Sequence, residues 1–346
     1  MSRIAVVTSS PPFVEGGHLV IARALVEALR AAGHQAGVVV TPQNRFGRQA
    51  AAYVATWLTD VGQSPDGPID QVISLRYPSY AVRHPRHVCW LNHTMREYYD
   101  QWPRFRATLS WKAGVKEQVR RRLIHAADGH LLRRHVTRLF VQSETIRQRV
   151  DRWLHVPSEV LYPPPPPRPY RCDGYGDYLF AVSRLTRLKR FDLLVRALAE
   201  PAAAGVRCVI AGDGEEAPRL QALIGELGLG DRVQLIGRID DAAMLDHLAR
   251  CRAVCFPPLD EDYGFVTVEA FAARKAVVTC RDSGGPAELV EDGRSGFVCE
   301  PAPAKLAAAL GTLAGDRATA ERLGAGAAAR VADLTWERAI GTLLLV

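Results

Sequence analysis

Five consecutive prolines, Pro163–Pro167, lie near the middle of this 346-residue chain. Each proline lacks a backbone N–H and fixes φ, so the run can neither continue a helix nor sit in a central strand. It reads as a stiff spacer between two folded parts. On both sides of it, apolar runs of strand length alternate with segments of helical spacing. Before it come strands at "IAVVTSS" (4–10), "QAGVVVT" (35–41), "QVISLR" (71–76), "HVCWLNH" (87–93) and "RLFVQS" (138–143), with a helix over "HLVIARALVEALRAAGH" (18–34) that stops at Gly33. After it come strands at 178–185, 206–214, 231–239, 253–258 and 276–282. Helices are expected at 189–200, 217–229 and 241–251, and alanine-rich helices over 303–332.

Such alternation means parallel sheets with helices on both faces. The expected fold class is therefore α/β, with two Rossmann-like domains whose parallel sheets face each other across a cleft. The expected boundaries are 1–162 for the first domain, 163–177 for a proline-rich hinge and 178–334 for the second domain. A last helix, 335–346, is expected to return to the first. Ligands of such sheets bind beyond the carboxyl ends of the strands, which makes the cleft the expected site.

Composition narrows the classes. A hydrophobic fraction of 48% is ample for two cores. The 44 Lys and Arg exceed the 37 Asp and Glu by seven, which suits an anionic ligand, a membrane surface or nucleic acid. Seven cysteines without paired spacing argue against a disulfide framework, and Cys251 and Cys255 have no His or Cys cluster to complete a zinc site. They read as small buried hydrophobes. The chain runs from "MSR" straight into a strand, so no signal peptide is expected, and no apolar window has the length of a membrane span. A cytoplasmic, reduced setting is expected, with the inner face of the membrane as a possible location.

The segment "DEDYGFVTVEAF" (260–271) carries the chemistry. It follows the strand "AVCFPP" and enters a helix expected to begin near Val266–Val268. Gly264 permits a tight turn close to a ligand. The first amides of the helix attract an anion such as a diphosphate. Glu269 in the first turn suits a vicinal diol such as a ribose, and Glu261 suits sugar hydroxyls across the ligand. Taken alone, the two acids read more readily as a helix-dipole partner and a solvated loop acid than as ligand contacts. Their neighbours favour the ligand. Arg184 and Lys189 lie between a strand end and a helix, where two cations can neutralise a diphosphate, although Arg187 and Arg190 nearby also fit a solvated basic loop. Gly284-Gly285 in "SGGPAELVEDG" and Gly16-Gly17 in "PPFVEGGHLV" open two more helices at strand ends.

The whole set resembles the retaining nucleotide-sugar glycosyltransferases of GT-B type, glycosyltransferase family 4 (glycosyl transferases group 1). The matching stretches are "GGH…LVEALRAAGHQAGVV", "AVSRLTRLKR…LLVRAL", "VIAGDGEEAPRLQALIGELGLGDRVQLIGRI", "EDYGFVTVEAF" with its Glu-x7-Glu spacing, and "GGPAELVEDGRSGFV". The resemblance implies that Glu261 contacts the donor sugar and Glu269 the ribose, and that Arg184 and Lys189 hold the diphosphate. It implies donor contacts from Gly16, Gly17, Gly264, Phe265, Val266, Arg238, Ile239, Gly284 and Gly285. Ser183 and Arg190 stand where the family often has glycine. His93, inside "NHTMREYYD", looks like the histidine with which members contact the donor sugar near the reacting centre. A structural imidazole bonded to backbone is its other reading. Arg96, Tyr98 and Tyr99 are weaker candidates for the acceptor. His84, His87, His125 and His130 read as surface residues.

The basic stretch 102–134, with interleaved Trp and Phe, reads either as an interfacial helix on anionic lipid or as a solvated face beside the acceptor. No nucleic-acid motif accompanies its charge. The expected reaction is glycosyl transfer from a nucleoside-diphosphate sugar to a glycan, lipid-linked or small-molecule acceptor, with retention, no metal and no cofactor. Its rivals are an epimerase or sugar phosphorylase on the same scaffold, and a non-catalytic sugar-nucleotide-binding subunit. A dinucleotide oxidoreductase is disfavoured, because "VVTSSPPFVEGGH" lacks G-x-G-x-x-G after the first strand.

Overall fold

The computed structural model describes residues 1–13, 16–43 and 47–345. Val14 and Glu15, inside the "PPFVEGGHLV" turn, lie outside the described residues. The chain divides into two compact units, Met1–Pro166 with Thr335–Val346, and Pro167–Leu334.

The first unit contains β1 (Arg3–Ser10), α1 (Gly17–Ala31), β2 (Gln35–Pro42), α2 (Gln49–Trp57), a small hairpin of β3 (Gln63–Ser64) and β4 (Gly67–Pro68), β5 (Gln71–Ser74) and β6 (His87–Leu91). Then come α3 (Trp102–Ala107), α4 (Trp111–Arg134), β7 (Arg138–Val141), α5 (Glu144–Leu154) and β8 (Glu159–Val160). The main sheet has the order β2-β1-β5-β6-β7-β8, and all its pairs are parallel. The apolar runs of β1, β5 and β6 are buried because helices cover both faces. β5 ends before the expected Arg76, because the Ser79 hydroxyl accepts from the Leu75 and Arg76 amides at 3.2 and 3.1 Å and turns the chain. His87, expected at the surface, is fully buried with Nε2 2.8 Å from Ser74 Oγ. Burial pushes its pKa down to about 3, so it stays neutral. His125 is half-buried and stacks on Tyr99.

The second unit contains β9 (Tyr178–Val182), α6 (Phe191–Ala199), β10 (Arg207–Ala211), α7 (Ala217–Glu226), β11 (Val233–Leu235), α8 (Asp241–Arg250), β12 (Ala253–Cys255) and α9 (Phe265–Ala272). It continues with β13 (Val277–Cys280), α10 (Gly285–Leu289), β14 (Gly296–Cys299), α11 (Pro303–Gly315) and α12 (Arg317–Val331). Its sheet has the order β11-β10-β9-β12-β13-β14. The pairs are again parallel. The order reverses between β9 and β12, and the loops leaving these two strands flank the point where doubly wound sheets hold ligands. Leu179, Leu194, Ile210, Val278 and Leu310 belong to one buried cluster that fixes the sheet against its helices. All seven cysteines are free and five are buried.

Residues 168–177, read from the sequence as part of a hinge, lie along the second unit. Tyr175 donates to the Arg274 carbonyl at 2.7 Å, and the Gly176 amide donates to the Arg250 carbonyl at 2.8 Å. Lys275, fully buried, donates to the Gly174 carbonyl. These bonds give the segment partners that a free spacer lacks.

After α12 the chain returns to the first unit as α13 (Trp336–Leu343). Thr335 caps the helix by accepting from the Arg338 amide at 3.2 Å. Ala339, Ile340 and Leu343 are its buried face. Gln71 Nε2 donates to the Leu343 carbonyl at 2.8 Å and Trp336 Nε1 to the Pro165 carbonyl at 3.1 Å. Leu343→Ala removes a fully buried side chain and is expected to cost about 2–5 kcal/mol in urea unfolding. A loss near zero contradicts this packing account.

Candidate functional site

The second unit builds a site where β9 and β12 end. After β9 the chain runs through Arg184, which is exposed, to a single 3-10 turn at Arg187–Lys189. Gly212 and Gly214 sit behind this loop with positive φ, and a Cβ on either would collide with the carbonyl of Ser183 or of Leu185. Arg190 then takes a left-handed conformation, φ +51°. This accounts for the glycine often found at that position in the family the sequence resembles. Here an arginine holds the conformation through its side chain. Nε and Nη2 donate to the Pro257 and Pro258 carbonyls at 2.8 and 2.7 Å, and the guanidinium grips both oxygens of Asp282 at 2.7 and 2.6 Å. Ser183 shows no such backbone strain; its amide donates to the Ala211 carbonyl at 3.2 Å.

That clamp ties the loop after β12 to the loop after β13. The Asp260 and Glu261 amides donate to the Asp282 and Ser283 carbonyls, both at 2.9 Å, and the Gly285 amide returns to the Glu261 carbonyl at 3.0 Å. Gly284, φ +67°, packs directly on the Glu261 backbone, where a Cβ has no room. Gly264, φ +83°, would place a Cβ 2.7 Å from Pro286 Cγ. Both glycines are therefore required by contact and by φ.

The result is a pair. Lys189 Nζ donates to Glu261 Oε2 at 2.6 Å, with the lysine 13% and the glutamate 20% exposed, and the ammonium stands 5.3 Å over the Phe256 ring. The structure thus joins Lys189, Glu261, Gly264, Gly284 and Gly285. Arg238 is exposed and Ile239 half-buried after β11, the strand beyond β10.

α9 begins at Phe265, earlier than the sequence suggested, because left-handed Gly264 starts the helix at once. Phe265 and Val266 form its first turn and are half-buried. Glu269 therefore lies in the second turn and not in the first. It is 5% exposed. Arg168 donates to one of its oxygens, and Tyr170 donates to the same oxygen at 3.3 Å. Arg168 also meets Asp241 at 3.0 Å. Burial pushes the Glu269 carboxyl up to about 7, against the Arg168 charge and the Tyr170 hydrogen bond. Sequence reading missed Arg168 and Tyr170. Their only signal was a cation and a phenol directly after the proline run.

The first-unit candidates are arranged differently. Gly16 caps α1 with extended backbone, and its carbonyl accepts from the Leu19 and Val20 amides; Gly17 is the first helical residue. His93 is half-buried, with Nδ1 2.7 Å from the Thr94 carbonyl. Arg96 pairs with Asp100 at 2.6 Å. Tyr98 and Tyr99, expected as acceptor contacts, are corrected to core residues. Both are buried, with Tyr98 donating to Glu117 and Tyr99 to Asp128, each at 2.6 Å. Asp128 also accepts from Tyr53 and Tyr80. Burial lifts its carboxyl to about 6 against these three hydrogen bonds. Among the described residues, no three His, Cys, Asp or Glu side chains form a metal-ligand group.

The chain is similar in sequence or fold to known proteins. Residues 171–330 match the family model described as Glycosyl transferases group 1. The alpha-D-kanosaminyltransferase of Streptomyces kanamyceticus is 33% identical over 150 residues, which is 42% of this chain and 39% of that protein. Alignments with three curated relatives cover 39%, 18% and 38% of them, so the chain spans less than half the length of each. Among solved structures, sucrose-phosphate synthase from Thermosynechococcus elongatus has a TM-score of 0.75 at 18% identity, over 99% of this chain and 98% of that one. HepE of Anabaena, in complex with UDP and glucose, has a TM-score of 0.68 at 17% identity, over 98% of both chains. The class follows: a GT-B-type fold whose second unit matches the glycosyl transferases group 1 model over residues 171–330.

The Glu269 carboxyl yields a signed prediction. Its pKa in the folded protein, about 7, lies above its ordinary 4.5. The stability linked to its proton is therefore fully present below pH 4.5 and lost as pH rises through 7. The wild type minus Glu269→Gln difference in unfolding free energy is expected to fall by about 3 kcal/mol across that window. A flat difference curve means that the carboxyl is not desolvated.

Proposed function

We propose that the chain is a retaining glycosyltransferase that moves a sugar from a nucleoside-diphosphate sugar to an acceptor hydroxyl without a metal. The observation that carries this reading is the Lys189–Glu261 pair, set where the strand order reverses and backed by the Gly264 and Gly284 turns. The group 1 match covers the same unit. HepE, similar in fold, is described in complex with UDP and glucose, which supports a nucleotide-sugar donor.

In the free protein Lys189 and Glu261 neutralise each other. A donor entering between them gives each a new partner. The ammonium turns to the diphosphate, and the carboxylate accepts from sugar hydroxyls. Arg184 and the first amides of α9, at Phe265 and Val266, add positive potential, so charge developing on the leaving diphosphate is stabilised as the bond breaks. The bond from the anomeric carbon to the phosphate oxygen breaks, and the acceptor oxygen bonds the same carbon on the vacated face. The acceptor proton passes to the departing phosphate. No side chain serves as a covalent nucleophile. Glu269 accepts from the ribose hydroxyls as a carboxylate, so binding releases its proton and strengthens as pH rises toward 7. Arg238, Ile239, Gly284 and Gly285 line the donor, and Gly16, Gly17 and His93 are the candidates from the first unit. The acceptor class is a glycan, a lipid-linked sugar or a small hydroxyl compound, and the reaction belongs in the cytoplasm, where nucleotide sugars are made.

A panel of GDP, UDP, ADP and dTDP sugars, assayed for nucleoside diphosphate release with and without EDTA, tests this. One donor is expected to turn over regardless of EDTA, to give a product with the donor's anomeric configuration, and to lose about 100-fold or more in rate in Lys189→Ala. An inverted product, an epimerised sugar nucleotide, or binding without any turnover overturns the reading.

A further inference from the structure

The first unit presents a surface that the proposed reaction does not use. Trp111, Val115, Val119 and Leu123 recur every fourth residue along α4, so they form one stripe, and each is more than half exposed. The stripe is about 18 Å long at the helical rise. Beside it, on α2, Val54 and Trp57 are also exposed. Between the two helices lies a groove of about 610 Å³, floored by Tyr53 and Ile124 and walled by Trp57, Val119 and Leu123. An apolar stripe of this length left in water is costly, which marks it as an interaction surface.

The charges around it select the partner. Exposed Lys112 and Lys116 border the stripe on one side and exposed Arg122 on the other. Lys112 stands over the Trp111 ring at 5.6 Å, and Arg83 stands over the Trp57 ring at 4.4 Å. The only acids of α4, Glu117 and Asp128, are buried against Tyr98 and Tyr99, so its outer face carries no carboxylate. A second copy of this surface would bring cations against cations. An anionic bilayer offers an apolar interior beneath a negative surface, matching both features. No helix among the described residues is long and apolar enough to cross a membrane, so α4 would lie in the interface plane.

We propose that the α2–α4 face docks the protein on an anionic lipid bilayer, with the α4 stripe in the interface and an acyl chain end entering the groove. This rests on the first unit alone and stands or falls separately from the transfer reaction. The test is co-sedimentation of the full chain with phosphatidylcholine vesicles, with and without roughly one third phosphatidylglycerol. Binding is expected with the anionic vesicles, weak with phosphatidylcholine alone, and reduced by high salt. Leu123→Asp and Val119→Asp are each expected to cut binding about tenfold or more, with unchanged circular dichroism because both residues are exposed. Lys112→Glu combined with Lys116→Glu is expected to weaken binding only to the anionic vesicles. No partition into anionic vesicles, or variants that bind as the wild type does, overturns the proposal. So does a lipid-free dimer that Leu123→Asp dissolves, which would assign the face to a second copy.

Discussion

The Arg190 clamp holds the candidate site together. Its backbone sits in a conformation that glycine adopts freely, and its side chain bonds two successive carbonyls and a carboxylate. Those bonds hold the loop after β12 against the loop after β13, and the backbone bonds from Asp260, Glu261 and Gly285 then close the junction. Lys189 precedes Arg190, so the clamp also aims the lysine. The Lys189–Glu261 contact is thus a consequence of loop geometry more than of mutual attraction. The pair is mostly buried, so separating it is costly unless each charge gains a new partner at once, which a charged ligand entering between them supplies.

Glu269 obeys a different logic. A buried carboxylate is costly unless it is paired. The chain covers it with Arg168 and Tyr170 from the segment that follows the prolines. The same segment is anchored to the second unit by Tyr175 and Lys275. A ribose that bonds Glu269 must therefore compete with a built-in cation and phenol, and the proton released on binding comes from the burial-raised carboxyl itself, not from this competition.

The sequence disclosed the sheets readily, because runs such as "IAVVTSS" and "VRCVIAGDG" are buried on both faces and read as unbroken apolar stretches. It disclosed the glycine turns, since Gly264 and Gly284 occupy positions that no side chain fits. Short elements escaped. α2 begins without a side-chain cap, and β8 has two residues, so neither carries a strong local signal. α5 has a Ser143 cap that the apolar pattern of the preceding strand overshadowed. Tyr98 and Tyr99 misled because a tyrosine near a strand end looks like a ligand contact. Their burial depends on Glu117 and Asp128, about three turns apart on α4 and 19 and 29 residues beyond their tyrosine partners. Arg168 and Tyr170 stayed hidden because their partner is about a hundred residues away.

The central claim is that a nucleoside diphosphate binds on the loops that Arg190 ties together. Hydrogen–deuterium exchange with and without the nucleotide that binds tests it most directly. The account predicts slower exchange in the amides of 260–268 and 283–288, with faster exchange at 168–170 as Glu269 changes partners. Protection confined to other strand ends, or no change in these segments at saturating nucleotide, would contradict it.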